Sequence, residues 1–371
     1  MPDFDVLIAG AGPAGAATAI SLGDFAPDLR VALIDAPAAD GLRVGEAVPP
    51  QIKTILEHLD VWQAFAADGH RPSYRTVSAW GGPDLLSNEF LFQTDQIGWR
   101  LDRARFDAML LGRAAQCATH VPSRVDAAVH QNDAWDVRLD DGTHVSARFL
   151  VDATGRGAML ARAHGARFEN LDRLVASVML FDGAPDDGTG LLIETFADGW
   201  WYTAALPQNR RIVACMTDAD LARAAGVVGV DGFLGALGST RHVGRTVVGA
   251  QPRGVPVLKP AGSRRMTRAC ALPLLCAGDA ASCFDPVSGQ GIFKALRSGI
   301  FASYAIGDHL SRNDDKGLAR YRKFIADEFD DYRETLRDYC AREQRFADRV
   351  FWRRRIETHA STAAAMEASM V

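Results

Sequence analysis

The strongest constraint on this chain is Gly10-x-Gly12-x-x-Gly15, set between the apolar run Asp5–Ala9 and a small-residue stretch from about Pro13 to Leu22. Glycines at that spacing, entered from a strand and left through a helix, suit few folds. Gly10 permits the tight turn, Gly12 lets a pyrophosphate approach the backbone, and Gly15 lets helix and strand pack closely. Pro13 and Ala14 open the helix, whose N-terminus offers unpaired N–H groups to phosphates. A second apolar strand, Val31–Asp35, ends on Asp35, about the right distance on to accept hydrogen bonds from a ribose. The unit is β-α-β and predicts dinucleotide binding.

That motif alone does not separate FAD from NAD. Two later segments favour the flavin. Cys276-Ala277-Gly278-Asp279-Ala280-Ala281 follows the buried strand Leu272–Ala277, and Asp279, after a tight turn at Gly278, can accept a hydrogen bond from a ribityl chain. Asp285-Pro286-Val287-Ser288-Gly289-Gln290-Gly291 then opens a helix expected over Gly291–Leu310. Gly289 and Gly291 let the backbone approach a flat ring, and the helix N-terminus stabilises negative charge on the pyrimidine side of a reduced flavin.

Between these segments the pattern changes period. Ile52, Ile55, Leu56, Leu59 and Trp62 recur at helical spacing from about Pro49 to Phe65, and Leu101–Gln116 reads as another helix. Val125–Asp152 alternates like strands, with Asp141-Gly142 as a hairpin turn, and closes on Asp152-Ala153-Thr154-Gly155. From about Val175 to Val257 the strand signals continue: Ser177–Phe181, Leu191–Phe196, Trp200–Leu206 and Arg211–Met216 predict a sheet separate from the cofactor domain. Leu318, Tyr321, Ile325, Phe329, Tyr332, Leu336 and Tyr339 follow three-four spacing, which predicts a helix packed on the body of the protein. The Ala-rich stretch Thr358–Val371 is weakly patterned and expected to fray.

Three motifs in order, Gly10–Gly15, Asp152–Gly155 and Gly278–Asp279, resemble the FAD-dependent monooxygenase and halogenase superfamily that includes the aromatic hydroxylases. The resemblance implies an α/β fold: a Rossmann-like FAD-binding domain (residues 1–75, 100–165 and 265–310), an inserted mainly β substrate domain (76–99 and 166–264) and a C-terminal helical region (311–371). Val44-Gly45-Glu46-Ala47-Val48-Pro49-Pro50 resembles the Gly-Glu loop of tryptophan halogenases, which implies that Gly45 lies at the cofactor. Trp99-Arg100-Leu101-Asp102-Arg103-Ala104-Arg105-Phe106-Asp107 resembles the segment whose arginine contacts FAD, which points to Arg103. Asp152 and Pro286 join the cofactor set on the same basis. The halogenase Trp-x-Trp-x-Ile-Pro signature and its catalytic lysine are missing. Lys53, the one lysine between Glu46 and Trp99, reads as a solvated side chain, so halogenation is disfavoured.

The length and Gly199-Trp200-Trp201-Tyr202-Thr203-Ala204-Ala205-Leu206-Pro207 most resemble the LodB- and GoxB-like flavoproteins, which mature quinone cofactors by oxygenating a tryptophan of a partner amino-acid oxidase precursor. The implied chemistry is aromatic hydroxylation through a flavin C4a-hydroperoxide. Glu46 and Asp285 are the candidates for proton work, and Trp200 and Trp201 for the substrate wall. On a strand those two tryptophans face opposite ways, so at least one is core. Two other readings stay open: a monooxygenase of a small aromatic metabolite, and a flavin reductase resembling geranylgeranyl reductases. No second nucleotide fingerprint is present, so electrons are expected from transiently bound NAD(P)H or from separately reduced flavin.

Composition closes other classes. A net charge of −5 argues against nucleic-acid binding through a general basic surface. Six cysteines include no CxxC pair, which makes a zinc site improbable. Cys283, within the flavin segment, reads as structural rather than as a covalent flavin anchor. Leu7–Leu22 is too short and too turn-rich to span a bilayer, and Met1–Asp5 lacks signal-peptide shape. The expected location is the cytoplasm, with no membrane partner.

Overall fold

A computed structural model describes residues 1–36, 45–184 and 190–356. Val44 of the expected Gly-Glu loop and the stretch Thr358–Val371 lie outside the described residues.

The chain opens as the glycine pattern requires. The strand Phe4–Ala9 leads into the helix Pro13–Phe25 and returns in the strand Val31–Ile34, parallel to the first. The four consecutive apolar residues of Val31–Ile34 are buried on both faces, as expected of a parallel strand covered by helices. The sheet runs Thr119–Val121, Val31–Ile34, Phe4–Ala9, His144–Asp152. On its far side His144–Asp152 pairs twice: its first half with the antiparallel strand Ala134–Leu139, its end with Leu274–Cys276 in parallel. This pairing brings residues more than a hundred positions apart in the sequence, Asp152 and Cys276, into register at one end of the sheet. Val125–Gln131 completes the meander.

The helix Pro13–Phe25 is buried along its length because its side chains are small. The 22-residue helix Gly291–Arg312 crosses it closely: a Cβ on Gly299 would stand 2.3 Å from the Ala14 carbonyl oxygen, and Ser303 donates to Ser21 at 2.7 Å. The two helices that the flavin reading singled out are therefore packed against each other, with their N-termini at the same end of the sheet.

A second sheet has the order Gln251–Pro260, Leu174–Asp182, Arg210–Asp218, Gly199–Leu206, Leu191–Phe196, Arg75–Ala79, Leu86–Glu89. Its neighbours are antiparallel except Arg75–Ala79 and Leu191–Phe196, which run parallel. Two further small sheets were not expected: Ala47–Val48 with Gly98–Arg100 and Arg71–Ser73, and Arg167–Asn170 with Arg264–Arg268 and Ser282–Cys283.

Two expectations of secondary structure need correction. The helical run from Pro49 to Phe65 is two helices, Ile52–His58 and Trp62–Ala67, because Asp60 takes a left-handed backbone (φ 55°) and breaks the ladder. The stretch from Val175 to Val257 is not only strands. Ala219–Ala224 and Val230–Gly238 are helices laid over one face of the second sheet, where Phe233 meets Trp201 edge to face at 5.2 Å. Glycine-rich Val230–Gly238 has poor intrinsic helix propensity; burial of Phe233 and Leu237 on the sheet holds it.

The terminal helix Lys316–Ala341 buries Leu318, Tyr321, Phe329, Tyr332 and Leu336, the spaced positions read from the sequence. Among the described residues no helix is long and apolar enough to cross a membrane.

Candidate active site

Between the two sheets lies a cavity of about 500 Å³. Its floor is the glycine turn: Gly12, Pro13 and Ala14 line it, and the helix they open has no side-chain cap. Gly291 lines it from the start of the helix Gly291–Arg312, also uncapped by any side chain, and Pro286 and Gly289 line it from the short turn just before, which Asp285 caps. Two helix N-termini thus present amide donors and the positive ends of their dipoles to one cavity.

Other expected residues stand behind that surface. Gly10 has a left-handed backbone (φ 100°), and a Cβ there would lie 2.4 Å from the Ala153 oxygen; a Cβ on Gly15 would collide with the Gly10 oxygen. Gly278 packs so tightly that a Cβ would be 2.7 Å from that of Ala14. Asp35 accepts the Ala11 N–H at 3.0 Å and so closes the glycine turn from outside. Asp152 is fully buried, and both its oxygens are engaged within its own turn: Oδ1 by Thr154, Oδ2 by the Ala161 N–H. It shapes the turn that brings Ala153 and Gly155 to the cavity, but it does not face the cavity itself.

Asp279 does line the cavity, with about two-fifths of its side chain exposed. Burial pulls its carboxyl up, but Lys294, Arg156 and Arg264 outweigh that and hold it below the usual carboxylate range. Lys294 donates to Asp279 Oδ1 at 3.0 Å and is itself 1% exposed. Cys283 lies directly behind, its thiol against the Asp279 carbonyl at 3.2 Å; burial and Asp279 push that thiol up, so it is not poised as a nucleophile.

Gly45, Glu46 and Arg103 form one wall. Asp102 caps the helix Arg103–Cys117 by accepting from Ala104 and Arg105, which sets Arg103 at the cavity. Arg103 pairs with Asp107 at 3.2 Å and reaches the Gly45 carbonyl at 3.4 Å. Glu46 is buried, and burial pushes its carboxyl up to about 6 although Arg103 and a Tyr202 hydrogen bond pull it down. Its Oε2 accepts from the Tyr202 hydroxyl at 3.3 Å, while Oε1 has no hydrogen-bond partner among the described residues.

The opposite wall is the second sheet. Trp200 and Tyr202 line the cavity with Ala204 and Met216. Trp201, on the other face, is 1% exposed and packed on Phe233, so of the two expected tryptophans only Trp200 lines the cavity. Alternation along the strand decides this. Asp285 closes the end. Burial, with Asp172 nearby, pushes its carboxyl up to about 7, and it accepts the Val287 N–H at 2.9 Å. Its own backbone N–H donates to Tyr332, whose ring stacks on Phe284 at 4.0 Å.

Sequence reasoning missed Lys294, Arg156 and Tyr332. For Lys294 a signal existed: it is the single charge in the otherwise apolar or small run Gly291–Leu296 that opens the helix, and a buried ammonium requires a partner. Lys53 sits apart from the cavity, 3.8 Å from both Glu57 and Asp95.

Residues 3–324 match the family described as FAD binding domain, and the chain belongs to it. It is 31% identical over 365 residues to the FAD-dependent oxidoreductase LodB of Marinomonas mediterranea, covering 96% of this chain and 97% of that one. Among solved structures, the peptidyl tryptophan dihydroxylase QhpG, essential for tryptophylquinone cofactor biogenesis, superposes with a TM-score of 0.76 at 27% identity, over 95% of this chain and 78% of that one. The myxobacterial halogenase CndH shares the fold, with a TM-score of 0.85 at 21% identity over 99% and 90%. The chain is an FAD-dependent oxidoreductase with the fold of the flavin monooxygenases and halogenases.

Proposed function

We propose that this member of the FAD binding domain family hydroxylates the ring of a tryptophan side chain in a partner protein, an amino-acid oxidase precursor, during maturation of a quinone cofactor. The observation that carries this reading is the open mouth of the cavity. Ala47, Leu191, Ile193, Phe284 and Gly289 line both the cavity and a second groove of about 760 Å³, so a ring can enter while still attached to a large molecule. The likeness to the peptidyl tryptophan dihydroxylase QhpG supports the same reading, and the likeness to LodB supports an FAD-dependent oxidoreductase.

The cavity suits FAD on its own evidence. Nothing lies within 4 Å of a Cβ built on Gly12, Gly289 or Gly291, which leaves open backbone at two uncapped helix starts. In this reading Gly12, Pro13 and Ala14 hold the pyrophosphate and Asp279 accepts from the ribityl chain. Gly45, Arg103, Pro286, Gly289 and Gly291 border the isoalloxazine, and Asp35 acts from the ribose side. Gly10, Gly15, Gly278 and Asp152 shape the cradle without touching its contents. Bound FAD supplies the electron transfer and oxygen activation, with electrons from NAD(P)H or from separately reduced flavin.

The protein's own residues do the rest. Trp200 and Tyr202 form an apolar wall that orients an aromatic ring and keeps water out. A ring carbon that has received oxygen must lose its proton to recover aromaticity. Glu46 Oε1 is a buried acceptor at the cavity, and an ionisation near 6 leaves it mostly charged at neutral pH. Asp285, near 7, is the second group able to hold a proton there. The first sheet with its helices serves as the cofactor platform, and the second sheet as the substrate wall.

The test is reconstitution with the partner oxidase precursor, reduced FAD and oxygen, followed by mass spectrometry of its tryptophan. Added oxygen supports the reading, and no mass gain overturns it. NAD(P)H oxidation stimulated instead by free indole or phenol would assign a small aromatic substrate.

A further inference from the structure

We propose that Lys294 is a positioning residue for the bound flavin: it grips one oxygen of Asp279 and thereby directs the rest of that carboxylate into the cofactor cavity. This rests on the FAD reading of the cavity, but not on the identity of the substrate.

Lys294 stands in the first turn of the helix Gly291–Arg312, yet its side chain points down into the protein rather than into the cavity. Its ammonium donates to Asp279 Oδ1 at 3.0 Å and to the Ser282 carbonyl, and it sits 4.8 Å from the centre of the Phe284 ring. Three partners on three sides leave the ammonium one position. A buried ammonium is expensive to desolvate and persists only when paired and hydrogen-bonded, so an apolar side chain would be the cheaper way to fill this space.

The pair is asymmetric. Lys294 is 1% exposed and Asp279 40%, and the exposed side of Asp279 faces the cavity. The turn that carries Asp279 is held at its backbone: Gly278 abuts Ala14 of the first helix and donates its N–H to Ser298 Oγ at 2.8 Å, and Arg264 donates to the Asp279 carbonyl at 3.0 Å. With the backbone so held, Lys294 sets the carboxylate. The charged and titratable groups around the pair are Arg156 and Arg264 near Asp279, the Cys283 thiol on its carbonyl, and Glu328 near Lys294. The cations outnumber the acids, so Asp279 stays ionised and is the stronger acceptor for it.

The test measures FAD dissociation constants of the apoprotein across about pH 5.5 to 8 for wild type, K294M, D279N, K294M/D279N and K294R. Wild type gives the reference profile, which already carries the ionisations of Glu46 and Asp285 in the same cavity. K294M binds at least about tenfold more weakly, as expected for loss of a charge-assisted hydrogen bond. Relative to wild type its deficit is largest at the acid end, because the burial of Asp279 is then opposed by Arg156 and Arg264 alone. The double variant is no weaker than D279N and shows the pH profile of D279N, and K294R restores the wild-type profile. Wild-type affinity and profile in K294M, or additive losses in the double variant, would show a counter-ion with a structural role only. K294Q stands in if apo K294M fails to fold by circular dichroism, and failure of both variants to fold also overturns the proposal. A wild-type protein that takes up no FAD would instead remove the cofactor reading itself.

Discussion

The Tyr202 hydroxyl donates to Glu46 Oε2 across 3.3 Å, joining the second sheet to the Gly45-Glu46 loop inside the cavity. Burial and the Glu46 charge hold the Tyr202 phenol far above its usual range, so it remains a donor at any working pH. Turnover should therefore rise with pH through a limb near 6, where Glu46 ionises. E46Q should abolish that limb. Y202F removes a hydrogen bond that favours the charged form and should move the limb upward. A pH–rate profile of substrate oxygenation checks all three, and an unmoved limb in E46Q would assign it to another group.

The same carboxyl makes a stability prediction. Glu46 is raised in the folded state from 4.5 to about 6, so the folded protein holds the proton more tightly than the unfolded chain. The resulting stabilisation is complete below 4.5 and is lost as pH rises through 6. A shift of that size corresponds to about 2 kcal/mol. E46Q, which does not ionise, should gain about that much relative to wild type at alkaline pH, with no such gain at acid pH. Urea unfolding of the apoprotein at both extremes reads the difference.

Trp200 and Trp201 are neighbours with opposite duties. W201A should destabilise the fold by about 3–5 kcal/mol, as for other buried aromatic truncations, and leave the KM for substrate unchanged. W200F should change KM or kcat, with a stability loss below about 1.5 kcal/mol for a change that keeps most of the volume. Thermal melts combined with steady-state kinetics separate the two, and equal kinetic effects would place both at the substrate.

Gly299 and Gly235 are both helical glycines, and only one is crowded. A methyl group at Gly299 meets the Ala14 carbonyl, so G299A should destabilise by about 1–3 kcal/mol and weaken FAD binding by displacing the helix start that lines the cavity. Nothing lies within 4 Å of a Cβ at Gly235, so G235A should be neutral or stabilise by up to about 1 kcal/mol. Chemical denaturation and FAD titration of the pair check this.

Local chemistry made much of the molecule readable from sequence. Glycine spacing between a strand and a helix leaves few backbone paths, so the opening β-α-β unit and the helix starts at Pro13 and Gly291 could be read without tertiary information. Three-four spacing did the same for Lys316–Ala341, and runs rich in strand-forming residues for Leu191–Phe196 and Trp200–Leu206. Where local preference was weak the reading failed. Asp60 broke a periodic helix through one backbone angle, and Val230–Gly238 became a helix only because the sheet below it offered a surface to bury on.

Short stretches were enough to mark the glycine turns and helix ends expected at a dinucleotide, because the backbone geometry there is encoded locally. The tertiary structure decided which groups face the cavity and in what charge state. It turned Asp152 into its own loop, sent Trp201 to the far side of the sheet, and brought Lys294 under Asp279 and Tyr202 against Glu46. Those outcomes depend on burial and on charges from distant parts of the chain, and desolvation has no local pattern in the sequence to betray it.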